Sequence, residues 1–379
     1  MSEQSGLTRV GRAVREVTVW VAITLGTLFF LEGAASAYMF VRDRKGSNPP
    51  QRLVRPRTLP DTLLGWRNDT GYAKADEYGK GIALHTTADG LRATPARDSS
   101  VGTGIVCSGD SFTFGAGVAD DQHWCALLAS ALPGVRTFDM GQELHGLDQT
   151  YLWYRRDGAR YPHRIQVLAV TNAALERAAA GDDAGWFKPY FELEGDRLAA
   201  RNVPVPRQTR EALEDAAFDR GLDELRIVQA AQRLPALDPV RRRAERVDAN
   251  RPVVEAVLRE LAAHHRARGT RLVLAYLPNT QDVRSDRLDA RRRWLAETAT
   301  RQSIAFIDLT TTFRAQRGDS LDLAFVSRTS PIVIPRAAGQ YSALGHALVA
   351  RTLAPVLARH LGPDSAAAST PIAARTGSR

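Results

Sequence analysis

Cysteine, lysine and long apolar runs are all scarce in this chain. Two cysteines in 379 residues, Cys107 and Cys125, exclude a disulfide-stapled scaffold and any structural zinc site of four thiolates. Four lysines stand against 47 arginines, an imbalance we read as genome composition and not as a binding code. No His, Cys, Asp and Glu residues cluster at metal-ligand spacing, and neither a Gly-rich phosphate loop nor a dinucleotide fingerprint occurs. No metal or other cofactor is therefore expected. There is also no internal repeat. What remains is the composition of a folded protein, 44% hydrophobic and 25% charged.

The formal charge of +9 raises the question of nucleic acid, so its location matters. Residues 1–60 hold nine Lys/Arg against four Asp/Glu, more than half of the excess. That excess flanks the one stretch long enough to cross a bilayer, Val17–Val41, about 37 Å as a helix at 1.5 Å per residue. A basic segment beside an apolar one points to a membrane surface, and no nucleic-acid partner is expected. Arg9, Arg12 and Arg15 precede the stretch, while Arg42, Arg44 and Lys45 follow it. Charge alone therefore does not set its orientation. Ala35-Ser36-Ala37 resembles a signal-peptide cleavage site. Apolar character nevertheless runs on to Val41, which favours an uncleaved anchor. The expected layout is a basic tail over 1–16, a transmembrane anchor over 17–41, and a Pro-rich linker over 42–62. One domain over 63–362 and a disordered tail over 363–379 follow. The expected location is the inner (cytoplasmic) membrane, single-pass, with the main domain on the extracytoplasmic side.

Short apolar runs near 104–109, 135–140, 165–170, 271–277 and 305–309 read as buried strands. Helical patterns at 121–132, 147–156, 252–268, 290–301 and 343–361 alternate with them. The alternation predicts a flavodoxin-like three-layer α/β/α sandwich around a central parallel sheet, with reactive groups at the strands' carboxyl ends. An insertion at about 173–250 carries a hairpin pattern turning at Glu194-Gly195-Asp196.

Directly after the first strand comes Gly109-Asp110-Ser111. A serine on a sharp strand-to-helix turn can present its hydroxyl as a nucleophile, and Asp110 is expected to hold the turn through backbone N–H groups. Here the chain resembles the SGNH (GDSL-type) hydrolase family. Ser108–Val118 (SGDSFTFGAGV) resembles its first block, Phe138–Gly158 its second and Val167–Asn172 its third. Leu63–Tyr72 and Asp89–Thr94 resemble the lead-in of membrane-anchored members. The likeness covers about residues 60–362. Gly318-Asp319-Ser320-Leu321 spells the literal motif, but no strand pattern precedes it.

The resemblance implies Ser111 as nucleophile, with oxyanion donors from Ser111, from Asn172 and from the backbone at Leu144, which stands in a glycine's place. It also exposes a departure. Tyr341–His346 matches the family's last run, yet Gln340 and Ala337 occupy the positions of the catalytic histidine and aspartate. Neither side chain can do their work. His145 is the best-placed substitute base; His346 and the other histidines are expected to be local packing or solvated residues. Cys107 and Cys125 are expected as two buried thiols, with a disulfide as the alternative in an oxidising compartment. Asp148 and Gln149 read as helix caps. The family implies a serine esterase or O-acyltransferase acting on acyl esters of an envelope glycan or lipid. The alternative is a catalytically silent relative that binds a glycan, lipid or protein partner.

Overall fold

The computed structural model describes residues 3–45, 57–94, 103–183, 186–207, 239–286, 289–316, 320–326 and 339–362. The expected linker beyond residue 45, most of the insertion after 207 and the tail from 363 lie outside the described residues, as do Ala337 and the Gly318-Asp319 pair. The chain divides into two units, Met1–Leu53 with Gln208–Arg242, and Val54–Arg207 with Arg243–Arg379.

In the first unit, helix α1 runs from Glu3 to Lys45. It extends past both ends of the expected span, because the flanking Arg, Glu and Lys residues are themselves good helix formers. Within it, Arg15–Ala37 has a mean hydropathy of 1.7 and is long and apolar enough to cross a membrane.

The second unit is built on five parallel strands: β1 (Thr103–Gly109), β2 (Val135–Gly141), β3 (Ile165–Val170), β4 (Arg271–Tyr276) and β5 (Ala305–Asp308). They lie in the order β2-β1-β3-β4-β5, the flavodoxin-like doubly wound order. Every residue of β3 is buried, as a strand covered on both faces requires. Successive side chains divide between two cores with period two. Leu168 and Val170 face helices α3 (Leu147–Asp157), α4 (Pro239–Arg268) and α5 (Asp289–Arg301). Ile165, Val167 and Ala169 face α2 (Trp124–Ala131) and α6 (Ala343–Leu361). Gln166 is the polar exception on β3, and it is satisfied: its amide donates to Ser108 Oγ at 2.6 Å, and its Oε1 meets His265 Nε2 at 2.7 Å.

Two elements differ from expectation. Helix α2 begins three residues late because the His123 ring caps it, accepting from Ala126 N. Helix α4 begins at Pro239, ahead of the helical pattern at 252–268, and carries Pro252 inside it. The two expected thiols are instead one disulfide. Cys107 on β1 and Cys125 on α2 pack in the same core with Cα atoms 6.2 Å apart, within reach of a bond.

The insertion carries an antiparallel hairpin, Tyr190–Glu194 with Arg197–Arg201, turning at Gly195. Lys188, just before it, is fully buried and pins this segment down. Its ammonium pairs with Asp148 and donates to the carbonyls of Arg177, Ala180 and Pro189. Asp148, expected as a cap, thus serves as the counter-ion; Gln149 does cap α3, its Oε1 accepting from Gly146 N at 3.0 Å.

Candidate active site

The carboxyl ends of β1 and β3 meet where the strand order reverses, the place where ligands bind in open α/β sheets. Ser111 opens a single helical turn, Ser111–Phe114, directly after β1. Asp110 caps that turn: its Oδ1 accepts from Phe112 N at 3.0 Å, and its Oδ2 accepts from Thr171 Oγ1 at 2.6 Å. The Asp110 carboxylate therefore ties the end of β1 to the end of β3. Gly109 permits the close approach, since a Cβ there would stand 2.7 Å from Ala169 O and collide with Thr113. Trp124, fully buried on α2, donates from its indole to Phe112 O and holds the turn from the other side.

Arg177 is a clamp that the sequence did not reveal. Its guanidinium reaches Asp110 Oδ2 at 3.3 Å and His145 O at 2.9 Å. The nucleophile turn, the second-block loop and the segment after β3 are thus cross-linked by one side chain. Leu144 in that loop has φ = 66° and is 42% exposed. A left-handed backbone costs a Cβ-bearing residue about 1–2 kcal/mol.

His145 is not joined to Ser111. Its ring is fully buried, donates from Nε2 to Trp66 O at 3.1 Å, and lies edge-on to Trp66 and Trp153. His346 is equally enclosed. Its Nδ1 accepts from Trp124 N, and burial holds its ring well below the ordinary imidazole range. His123, also buried, meets Asp139 at 3.0 Å.

The partner of Ser111 is Gln340, whose Nε2 donates to Ser111 Oγ at 3.1 Å. The next residue explains how it is held. Tyr341 is fully buried, donates from its hydroxyl to Pro278 O at 2.7 Å, and sets its ring edge-on to Phe112, next to the serine. Gln340 is thus held against the serine hydroxyl.

Asn172, the expected oxyanion donor, opens the turn after β3 but its amide is engaged. Nδ2 donates to Glu176 Oε1 at 2.6 Å, and Oδ1 accepts from Arg291 of α5. Arg291 is buried, and desolvation lowers its affinity for a proton. Arg291 and Glu176 were not expected here, because their contact with Asn172 closes only when α5 packs on the sheet.

The arrangement comprises a capped serine turn at the end of the first strand, an asparagine at the end of the third, and the Gln340–His346 run facing the serine. It sits on a 2-1-3-4-5 parallel sheet. The domain has a flavodoxin-like doubly wound α/β/α fold, and its serine turn resembles that of the SGNH (GDSL-type) hydrolases. Solved structures that overlap it include lipolytic proteins of the G-D-S-L family from Desulfitobacterium hafniense (15% identity, 67% of this chain and 99% of that one, TM-score 0.35) and Veillonella parvula (15%, 68% and 99%, TM-score 0.37). An acetylxylan esterase from Geobacillus stearothermophilus overlaps likewise (16%, 67% and 94%, TM-score 0.35). No protein-family model and no curated protein matches the chain. At this site the serine turn is capped by Asp110, Gln340 faces the serine hydroxyl, and the Asn172 amide is engaged by Glu176 and Arg291.

Proposed function

We propose that this chain is a membrane-anchored SGNH-fold protein that binds an acyl ester of an envelope glycan or lipid at Ser111 without cleaving it. The observation that carries the reading is the Gln340 amide on the Ser111 hydroxyl. A serine nucleophile needs a neighbour that takes its proton as it attacks. A carboxamide does not, whichever way its oxygen and nitrogen are assigned. With Oγ accepting from Nε2, the hydroxyl proton is left to donate to a ligand's carbonyl oxygen. Ser111 then serves as a recognition group. The exposed Leu144 side chain, on the loop that starts beside Gly109, suits an acyl or acetyl group.

Location follows the same reasoning. The span Arg15–Ala37 is long and apolar enough to serve as the single-pass anchor, which this reading places uncleaved in the inner (cytoplasmic) membrane. The Cys107–Cys125 bond supports an oxidising, extracytoplasmic setting for the SGNH unit. A second reading keeps Ser111 as the nucleophile of an esterase or O-acyltransferase; the intact Gly109-Asp110-Ser111 turn favours it.

Turnover of p-nitrophenyl acetate by the full chain in uncharged detergent separates the two. Wild type and Ser111→Ala are expected to give the same rate, while an O-acetylated oligosaccharide binds wild type more tightly than the variant. A wild-type rate about tenfold or more above Ser111→Ala would sink the binding reading, since one intact catalytic pair is worth far more than that.

A further inference from the structure

At the opposite edge of the sheet, where β4 and β5 begin, lies a cavity of about 350 Å³. Its floor is apolar, formed by Ala262, Leu272 and Ile304, and its rim carries Arg266, Arg271 and His360. None of its lining residues is acidic. Ser303, on the loop that leads into β5, is held at φ = 57° and shapes one wall. This volume falls within the range of small-molecule sites, on the order of 300–1,000 Å³.

The charge around the cavity has one sign. Arg266, Arg268, Arg271 and Arg359 form no ion pair with a carboxylate among the described residues; Arg266 reaches only Gln302 O, at 3.4 Å. Burial, and after it the neighbouring arginines and histidines, lowers the affinity of His163, His264, His265 and His360 for a proton. His265 is pushed down to about 3. It stays neutral, bonded to Gln166 and to Thr270 Oγ1.

Helix ends supply the ordinary explanation for such arginines. The C-termini of α4, α5 and α6 point to this edge, and each attracts cations with about half an elementary charge. Three helix ends offset less than half of four guanidiniums. Positive charge therefore remains around a concave, part-apolar cavity.

We propose that this cavity binds a phosphate monoester, its dianionic group held by Arg266 and Arg271 and its organic part resting on Ala262, Leu272 and Ile304. The guanidinium fork matches phosphate oxygens two at a time. A bare phosphate would fill only part of the space. The site is separate from Ser111 and does not depend on what that serine does.

Calorimetric titration of the full chain in uncharged detergent tests the proposal, with glucose 1-phosphate as a soluble ester and dihexanoyl phosphatidic acid as a lipid one. At least one ester binds, at least about tenfold more tightly than glucose or dihexanoyl glycerol. Arg266→Gln and Arg271→Gln each weaken it about tenfold, while Arg271→Lys recovers part of the loss and Arg301→Gln, whose arginine pairs with Glu255, changes nothing. Tighter binding of the sugar phosphate identifies a soluble ligand, and tighter binding of phosphatidic acid identifies a headgroup. Failure of both esters to bind overturns the proposal. So does binding that survives Arg266→Gln and Arg271→Gln in chains whose circular dichroism matches wild type.

Discussion

Restoring the missing pair, Gln340→His with Ala337→Asp, is expected to raise p-nitrophenyl acetate turnover about a hundredfold over the wild-type chain. General acid–base catalysis is worth roughly 10²–10⁴, and the lower end is expected because nothing else in the site has been refitted. The geometry for the gain is already present. Residue 340 faces Ser111 at 3.1 Å, Tyr341 fixes its backbone through Pro278, and Asp110 holds the serine turn. Gln340→His alone should gain less, because an imidazole without its carboxylate is held in neither the right tautomer nor the right orientation. Loss of the gain in Ser111→Ala placed on the double variant would confirm that the serine is the group being activated. Should the double variant stay at the Ser111→Ala rate, the missing base is not what silences the site. The engagement of Asn172 by Glu176 and Arg291 would then be the cause.

Lys188→Met is expected to destabilise the fold by about 3–5 kcal/mol near pH 8, the usual result of removing one partner of a buried ion pair. Lys188 and Asp148 are both fully buried, so the variant leaves a carboxylate and three backbone carbonyls without their shared ammonium. Burial already pushes the Asp148 carboxyl up from 3.8 to about 6, against the opposing pull of Lys188. A folded-state pKa above the unfolded one means that the folded protein binds the proton more tightly. This carboxyl's stabilising contribution is thus complete below about pH 4 and is lost as pH rises through 6. Without Lys188 the folded-state pKa climbs further, so the deficit should be smaller near pH 5 than near pH 8. Urea unfolding of the full chain at both pH values measures it. Asp148→Asn added to Lys188→Met should recover much of the loss, since replacing both charges removes the unpaired ion. A deficit independent of pH, or no recovery in the double variant, would show that Lys188 acts through packing alone.

The fold was legible because its strands are short apolar runs set between helical repeats, and a sheet buried on both faces writes itself in that form. The serine turn was legible for a related reason: small residues at the end of a buried strand leave few other structures. Gln340 could be placed opposite Ser111 only through the resemblance of Tyr341–His346 to the last run of the SGNH family. Contacts that close over long separations left no such trace. Asn172 meets Arg291 across 119 residues and His145 meets Trp66 across 79, so neither the tied amide nor the enclosed ring could be read from local pattern. Arg177 looked like one arginine among 47. The disulfide stood only as the alternative because two buried cysteines in adjacent elements satisfy a core equally well as thiols.

The most direct measurement is the reaction of the full chain with a fluorophosphonate, followed by intact mass and peptide mapping. Such a probe adds to a serine only when a base draws off its proton, so it asks about Ser111 without assuming a substrate. The account predicts an unchanged mass under conditions that label a serine esterase to completion. An adduct on Ser111, absent from Ser111→Ala, would contradict it and establish the serine as a working nucleophile.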